Sequence, residues 1–386
     1  MANTDSVKVR VLSLNCWGIR YLSKQCPQRY AMIGDMLCKE EHDIVLLQEV
    51  WSEKDYLSLK KKLACSHPHS HYFKSGVIGS GLAIFSIHRI HDTFLFRYSL
   101  NGYPYMPDCK RLLTHLHAEY CRDKDSYLPH RVVQAWELQQ FIRHTSAGAD
   151  MVILGGDLNM HPQDLGNRLL RSYTGLQDAY LETAKFDGCE DGMTLIADNP
   201  FINKKELCPF EKGIRIDYIL FKGSTKTDIY CDYIDRQPKI KDSAAGKLAA
   251  LVDIVTEART EVKVGLHCAE RMRYTATRTG VMGLALLVLE LAIAAVPWLA
   301  LGKEQPFPRT SFYLLAALCF AILLTTFLLY IFYTMELKAL QGAEDQMRLA
   351  VGSLQEKLRG FPLAQPHNAP RRPPEGNEPS ALAPEE

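Results

Sequence analysis

Two uninterrupted apolar runs near the C-terminus constrain this chain more than anything else in it. Residues 280–301 carry one charge, Glu290, and residues 311–333 carry none. Each run is ~22 residues, or about 33 Å as helix, enough to cross the hydrocarbon core of a bilayer. A core helix that long and that apolar is unusual in a soluble domain. Between the runs, Pro306 and Pro308 stand in a short turn. The pair therefore reads as a hairpin with both ends on one side of a membrane. Arg271, Arg273 and Arg278 precede the first run and Lys338 and Arg348 follow the second, against Lys303 and Arg309 in the turn. That asymmetry assigns both ends to the cytosol. Glu290 is costly at mid-membrane and is expected to be protonated, paired or functional.

The remaining chain divides by composition. Residues 1–235 alternate strand-like and helix-like runs. Residues 9–15 (VRVLSLN) alternate apolar and polar, and residues 29–41 place Met32, Ile33, Met36 and Leu37 at helical spacing. Residues 43–47 (DIVLL) form a short apolar run that leads into Gln48 and Glu49. The pattern recurs as strands at 81–85, 112–117, 151–154 and 215–221 and as a helix at 129–145. Such alternation predicts an α/β layered domain. Residues 236–279 are charged and helix-prone, a helical connector. Residues 280–301 and 311–333 are the transmembrane helices, 334–361 a further helical segment, and 362–386, with seven prolines and no apolar periodicity, a disordered tail.

Composition narrows the function. Lys+Arg is 45 and Asp+Glu 44, a formal net charge of +1, which argues against nucleic acid as a partner. The eleven cysteines include no CxxC pair and read as scattered thiols of a reducing compartment. The N-terminus has no apolar stretch of the kind a cleaved signal peptide needs.

Several polar residues sit at the ends of the predicted strands, where α/β sheets build their sites. Asn15 ends the first strand and Glu49 the second. His115 and His117 lie two apart in THLHAEY and share a strand face. Asp157 and Asn159 follow a buried strand in ILGGDLNMHP, and Asp217 lies in RIDYIL. Each alone also reads as a cap, a turn residue or a surface carboxylate.

Their order changes the reading. LNxWG, QEVW, THLHAEY, GDLNxxP and IDY, in that sequence, resemble the endonuclease/exonuclease/phosphatase superfamily. The longer wording (LSLNCWGIRYLSK, LLQEVWSEKDY, FKSGVIGSGLAIFS, LNGYPYM, THLHAEY, HRVVQAWEL, GDLNMHPQDLG, GIRIDYIL) is similar to the membrane-bound, magnesium-dependent neutral sphingomyelinases with two transmembrane segments. The resemblance covers residues 8–222 and the hairpin. It implies a layered α/β sandwich followed by the hairpin, hydrolysis of sphingomyelin to ceramide and phosphocholine, lysophospholipids as further substrates, and residence in the endoplasmic reticulum. It implies Mg2+ on Glu49 with help from Asn15. Asn159 would hydrogen-bond a phosphate oxygen, and Asp157 would orient or activate the water. His115 would protonate or bind phosphate oxygens, and Asp217 would orient the site. Those residue types suit the chemistry, because a hard cation held by oxygen ligands offsets charge growing on a phosphodiester. His161, before Pro162, reads either as a substrate contact or as a structural residue.

The chain departs from that family at two places. The Ser-Gly-Lys loop between NGYPYM and THLHAEY is missing, so the sandwich is expected to be incomplete there. The closing Ser-Asp-His is missing too, and no Asp-His pair occurs anywhere in the chain. Losing one member of a coupled acid-base pair costs ~10³ or more in rate. The alternative reading is therefore a catalytically impaired splice form, a membrane-anchored non-catalytic protein. A nuclease or inositol phosphatase on the same scaffold is a third reading, which the long wording of the motifs opposes.

Overall fold

The computed structural model describes residues 8–20, 23–74, 81–100, 125, 127–183, 191–197, 199, 212–224, 229, 244–301 and 309–360. Chain order is β1 (Val11–Asn15), α1 (Cys26–Lys39), β2 (Ile44–Val50), α2 (Glu53–Lys62), β3 (His69–Tyr72), β4 (Gly81–Ser86), α3 (Leu128–Thr145), β5 (Met151–Asp157) and α4 (Leu165–Thr174). It continues with β6 (Gln177–Asp178), α5 (Ala179–Glu182), β7 (Leu195–Ile196), β8 (Gly213–Ile214), β9 (Asp217–Gly223), α6 (Ala244–Leu301) and α7 (Arg309–Arg359). The strand expected at 112–117 and the tail at 362–386 lie outside the described residues.

Two sheets form the centre. One has the order β1-β2-β4-β3, with β1 and β2 parallel and the other pairs antiparallel. The other is antiparallel, in the order β5-β9-β6. They pack face to face through β1, β2, β5 and β9. Gly155 makes that approach possible, since a Cβ there would lie 2.6 Å from Leu46 Cδ1. Helices α1 and α2 cover the first sheet, around Tyr30, Leu37, Val45, Leu47, Leu59 and Phe85. The second is covered by α3 and α4, around Leu138, Ile142, Leu170, Tyr218 and Leu220. The layers thus run α, β, β, α, the sandwich the motifs predict.

Helix α3 is buried on nearly every side, from Pro129 to Ile142. A helix buried on nearly every side must have neighbours on nearly every side, and the second neighbour is the helix pair α6–α7. From Ala244 on, the expected connector at 236–279 is part of α6, a single helix of 58 residues that continues into the first apolar run. It does more than connect. Val252, Val255, Ala258 and Val262 of α6 and Leu340, Met347 and Val351 of α7 share one core with Val132, Val133, Trp136, Leu165 and Leu169. Helix α7 likewise runs 51 residues without a break. Both helices are long and apolar enough to be candidate membrane spans. Glu290 turns away from the exposed outer faces of the pair: it is 7% exposed and, like Cys319, is buried between the two helices.

One ion pair sets the geometry beside the second sheet. Arg215 donates to both oxygens of Asp178, at 3.1 and 2.7 Å, and its guanidinium lies between the rings of Tyr180 and Tyr218. Both charges are buried. Asp178→Ala leaves the arginine charge without its carboxylate, and is expected to cost ~3–5 kcal/mol, read as a lower midpoint in thermal or denaturant unfolding.

Candidate active site

The first sheet delivers two of the expected residues at adjacent strand ends. Asn15 closes β1, and its register partner is Gln48. Glu49 follows, at a shift in the β2–β4 register between Leu47 and Val50. Its φ of 56° is left-handed. A bulge at this point re-aims one side chain out of the alternation of the strand, and it turns the Glu49 carboxylate toward the other sheet. Glu49 is only 4% exposed.

The second sheet delivers Asp157, the last residue of β5, 3% exposed. Asn15 joins the two: its Nδ2 donates to Glu49 Oε1 at 2.9 Å and to Asp157 Oδ2 at 3.0 Å. Residues 142 apart in sequence thus meet at one amide. The Asn15 oxygen faces the other way and accepts from the backbone N–H of Trp17 at 2.9 Å. Trp51 Nε1–H donates to Glu49 Oε2 at 3.4 Å.

Asn159 lies beside this cluster. Its N–H donates to Asp157 Oδ1 at 2.8 Å, it is buried, and its φ of 47° is left-handed. Three non-glycine residues in that sparsely populated region, Trp17, Glu49 and Asn159, converge on one place. Strain of this kind persists where surrounding contacts over-determine it, and it gathers at functional sites. Asp217 sits directly across from Asp157 in the β5–β9 pairing, so the two residues belong to one face of the sheet. His115 and His117 lie outside the described residues. His161 is half-buried two residues beyond Asn159, and its backbone N–H caps onto Asp164.

Three supporting residues were not singled out in the sequence, although two of them, Gly18 and Tyr218, belong to its motifs. Arg29 of α1 donates to the carbonyls of Cys16 and Trp17, each at 2.7 Å, and so fixes the loop that follows Asn15. Its signal was an arginine on the apolar face of a predicted helix. Gly18 donates to the Glu49 carbonyl at 3.0 Å, and a Cβ there would collide with that oxygen and with Tyr30 Oη. The glycine of LNxWG is therefore a requirement of close approach. Tyr218 donates to the Met160 carbonyl at 2.7 Å. Burial pushes its phenol far above the usual range, so it stays a donor at physiological pH.

The donor set suits a hard cation. Two buried carboxylates lie within 3.0 Å of a single amide nitrogen, which stands where positive charge would be best placed. Among the described residues no group of three or more His, Cys, Asp or Glu gathers to hold a metal. The ligands on offer are therefore the oxygens of Glu49 and Asp157, with the Asn15 oxygen joining only if that amide turns over.

Two sheets that meet at clustered carboxylates and amides, with helices outside, define a class. Residues 12–238 match the Endonuclease/Exonuclease/phosphatase family, and the chain belongs to it. Within that family it belongs with the neutral sphingomyelinases. It is 41% identical to Sphingomyelin phosphodiesterase 2 of Mus musculus, over 89% of this chain and 92% of that one. It is 37% identical to Sphingomyelin phosphodiesterase 2 of Homo sapiens, over 94% and 95%. The human alignment extends over 412 positions, more than the 386 residues of this chain, so the human protein has internal residues opposite gaps here. A beta hairpin deletion mutant of beta toxin from Staphylococcus aureus is also similar in structure, with a TM-score of 0.45 and 15% identity over 62% of this chain and 96% of that one. Relatives such as the mouse and human proteins, matched along nearly their whole length, favour the hydrolase over the non-catalytic alternative.

Proposed function

We propose that this chain hydrolyses the phosphodiester of sphingomyelin, releasing ceramide and phosphocholine, at the cytosolic face of the membrane its hairpin spans. The observation that carries the reading is the single amide of Asn15 holding Glu49 and Asp157 together, in a chain so similar to sphingomyelin phosphodiesterases along its whole length.

Glu49 is the proposed Mg2+ ligand, with Asn15 beside it. Held there, Mg2+ would offset the charge that builds on the phosphoryl oxygens during attack by water. Asp157 accepts a hydrogen bond from that water and orients its lone pair toward phosphorus. The Asn159 side-chain amide donates to a phosphoryl oxygen. Asp217, across the strand pair, holds the orientation of Asp157 and Asn159. His115 supplies a proton or a hydrogen bond to the phosphate, as the resemblance implies. Residence in the endoplasmic reticulum, with both chain ends cytosolic, is part of the same proposal. It follows from the basic residues on either side of the hairpin and from the family, and lysophospholipids are a further proposed substrate class.

The test is phosphocholine release by the purified full chain from mixed micelles of sphingomyelin. Activity is expected to vanish in EDTA and to return when Mg2+ is added in excess. Release that is indifferent to EDTA overturns the metal assignment. Faster cleavage of short DNA than of sphingomyelin overturns the substrate.

A further inference from the structure

The two long helices pair in a fixed register. A Cβ on Gly283 would lie 3.1 Å from Ile322 Cγ2, one on Gly280 3.2 Å from Thr326 Oγ1, and one on Gly265 3.4 Å from Leu340 Cδ2. Arg259 Nε donates to Glu344 Oε1 at 2.6 Å. This register offsets the two apolar runs. Arg271, Arg273 and Arg278 of α6 lie level with the aromatic end of the α7 run, from Phe327 to Tyr333. That tier is about 12 Å tall. It mixes arginines with exposed Tyr274, Phe327 and Tyr330, the composition of a headgroup layer rather than of the hydrocarbon interior.

The folded domain begins immediately above this tier. His130 Nε2 meets Glu336 Oε1, and Gly265 packs on Pro129, where a Cβ would lie 2.6 Å from Pro129 Cβ. Further along, Trp136 Nε1 donates to Gln346 at 3.0 Å, and Arg168 pairs with Glu257 at 3.1 Å. Glu336 is three residues beyond Tyr333, about 4.5 Å along the axis. The candidate active site belongs to the same end of the domain. Met160, next to Asn159, is buried against Gly166, and Gly166 in turn lies against Ala135 and the Arg131 carbonyl in the first turns of α3.

Neither helix breaks between span and domain. A continuous helix pair sharing a core with the domain has no hinge to absorb bending.

We infer that the α6–α7 pair is a rigid ruler. Its tier of arginines and aromatics seats in the headgroup layer of the bilayer that the hairpin spans. The domain is thereby held at one height, with the active site reaching lipid of that same leaflet and of no other membrane. This rests on the proposed function for its substrate, though not for the height.

The test lengthens the ruler. Seven helix-forming residues are inserted between Glu270 and Arg271 and seven between Thr334 and Met335, so the full chain rises by about 10 Å with its faces turned by only ~20°. Neutron reflectivity on supported bilayers is expected to show the domain layer raised by that amount. Turnover of sphingomyelin in the same bilayer is expected to fall at least tenfold, with micellar turnover within twofold of the original. An unchanged height, or same-bilayer turnover that survives the lift, overturns the inference. If neither protein turns over micellar sphingomyelin, the enzymatic reading fails, and the height still decides the ruler.

A second variant keeps the length and adds a hinge, with Ser-Gly replacing Glu270–Arg271 and Thr334–Met335. It is expected to broaden the domain layer and to open sphingomyelin in separate vesicles to attack, which the original chain leaves untouched. Equal turnover of both vesicle populations by the original chain overturns the ruler outright.

Discussion

Glu49→Gln is expected to lower kcat/KM for sphingomyelin by ~10³ while leaving the unfolding midpoint within a few degrees. The substitution keeps the shape and the oxygen that accepts from Asn15, and it removes the charge. Groups aimed at developing charge in a buried site are each worth ~10²–10³ in rate, and the loss of a cation's carboxylate belongs at the upper end. Asp157→Asn is expected to cost a similar factor by a different route, since a neutral amide oxygen is a weaker acceptor than a carboxylate and cannot take the proton of the attacking water. Because one amide ties the two carboxylates together, the double variant is expected to be little slower than the slower single one, as residues that act as a unit are strongly non-additive. Phosphocholine release by each variant, with thermal unfolding as the control for folding, checks this. Either single variant within threefold of the original removes the site from the mechanism.

Much of that site is legible in the residues alone. Strand ends are readable because a short apolar run that stops at a polar residue is what a buried strand leaves behind when it reaches the edge of its sheet. Asn15, Glu49 and Asp157 stand out one by one on that ground, and Asp217 by its place in the IDY motif. Direct contact between them is a different kind of information. Asn15 and Asp157 are 142 residues apart, and only the packing of two sheets, eased by Gly155, decides that they touch. The bulge at Glu49 is also hidden. A strand with one residue in a left-handed conformation looks, as sequence, like an ordinary apolar run. Arg29 is half-hidden: its place on the apolar face of a predicted helix sets it apart from a surface arginine, but nothing in the sequence names the two backbone carbonyls it bonds. Motif wording closes part of this gap, since LNCWG and GDLNMHP each carry the supporting loop together with the polar residue.

The least legible element is the segment at 236–279. Its apolar positions, Leu248, Leu251, Val252, Val255, Val262 and Leu266, are visible at helical spacing, yet nothing in them names their partner. The partner's signal lies elsewhere, in α3, whose apolar residues point in every direction. A helix packed on a sheet alone needs one apolar face. The second apolar face of α3 requires another layer to cover it.

That layer carries the other large expected effect. Residues 1–243 expressed alone are expected not to fold to a stable, soluble domain, although they contain every candidate catalytic residue. Removing α6 and α7 uncovers Val132, Val133, Trp136, Leu165 and Leu169, which are 6% exposed or less in the full chain. At ~1.5–3 kcal/mol for each large apolar side chain, the loss is ~10 kcal/mol, comparable with the whole stability of an ordinary domain. Circular dichroism and binding of a hydrophobic dye would read this as residual helix without cooperative unfolding. Adding back only the extramembrane halves of the helices, residues 244–271 and 334–360 joined by a flexible linker, is expected to restore a sharp transition. These halves supply Val252, Val255, Val262, Leu340 and Met347 to the same core. Cooperative unfolding by residues 1–243 alone would reduce the helix pair to a tether. Restoration by the added halves makes it the outer layer of the catalytic domain, so that the element which carries the candidate membrane spans is also one that the site needs in order to exist.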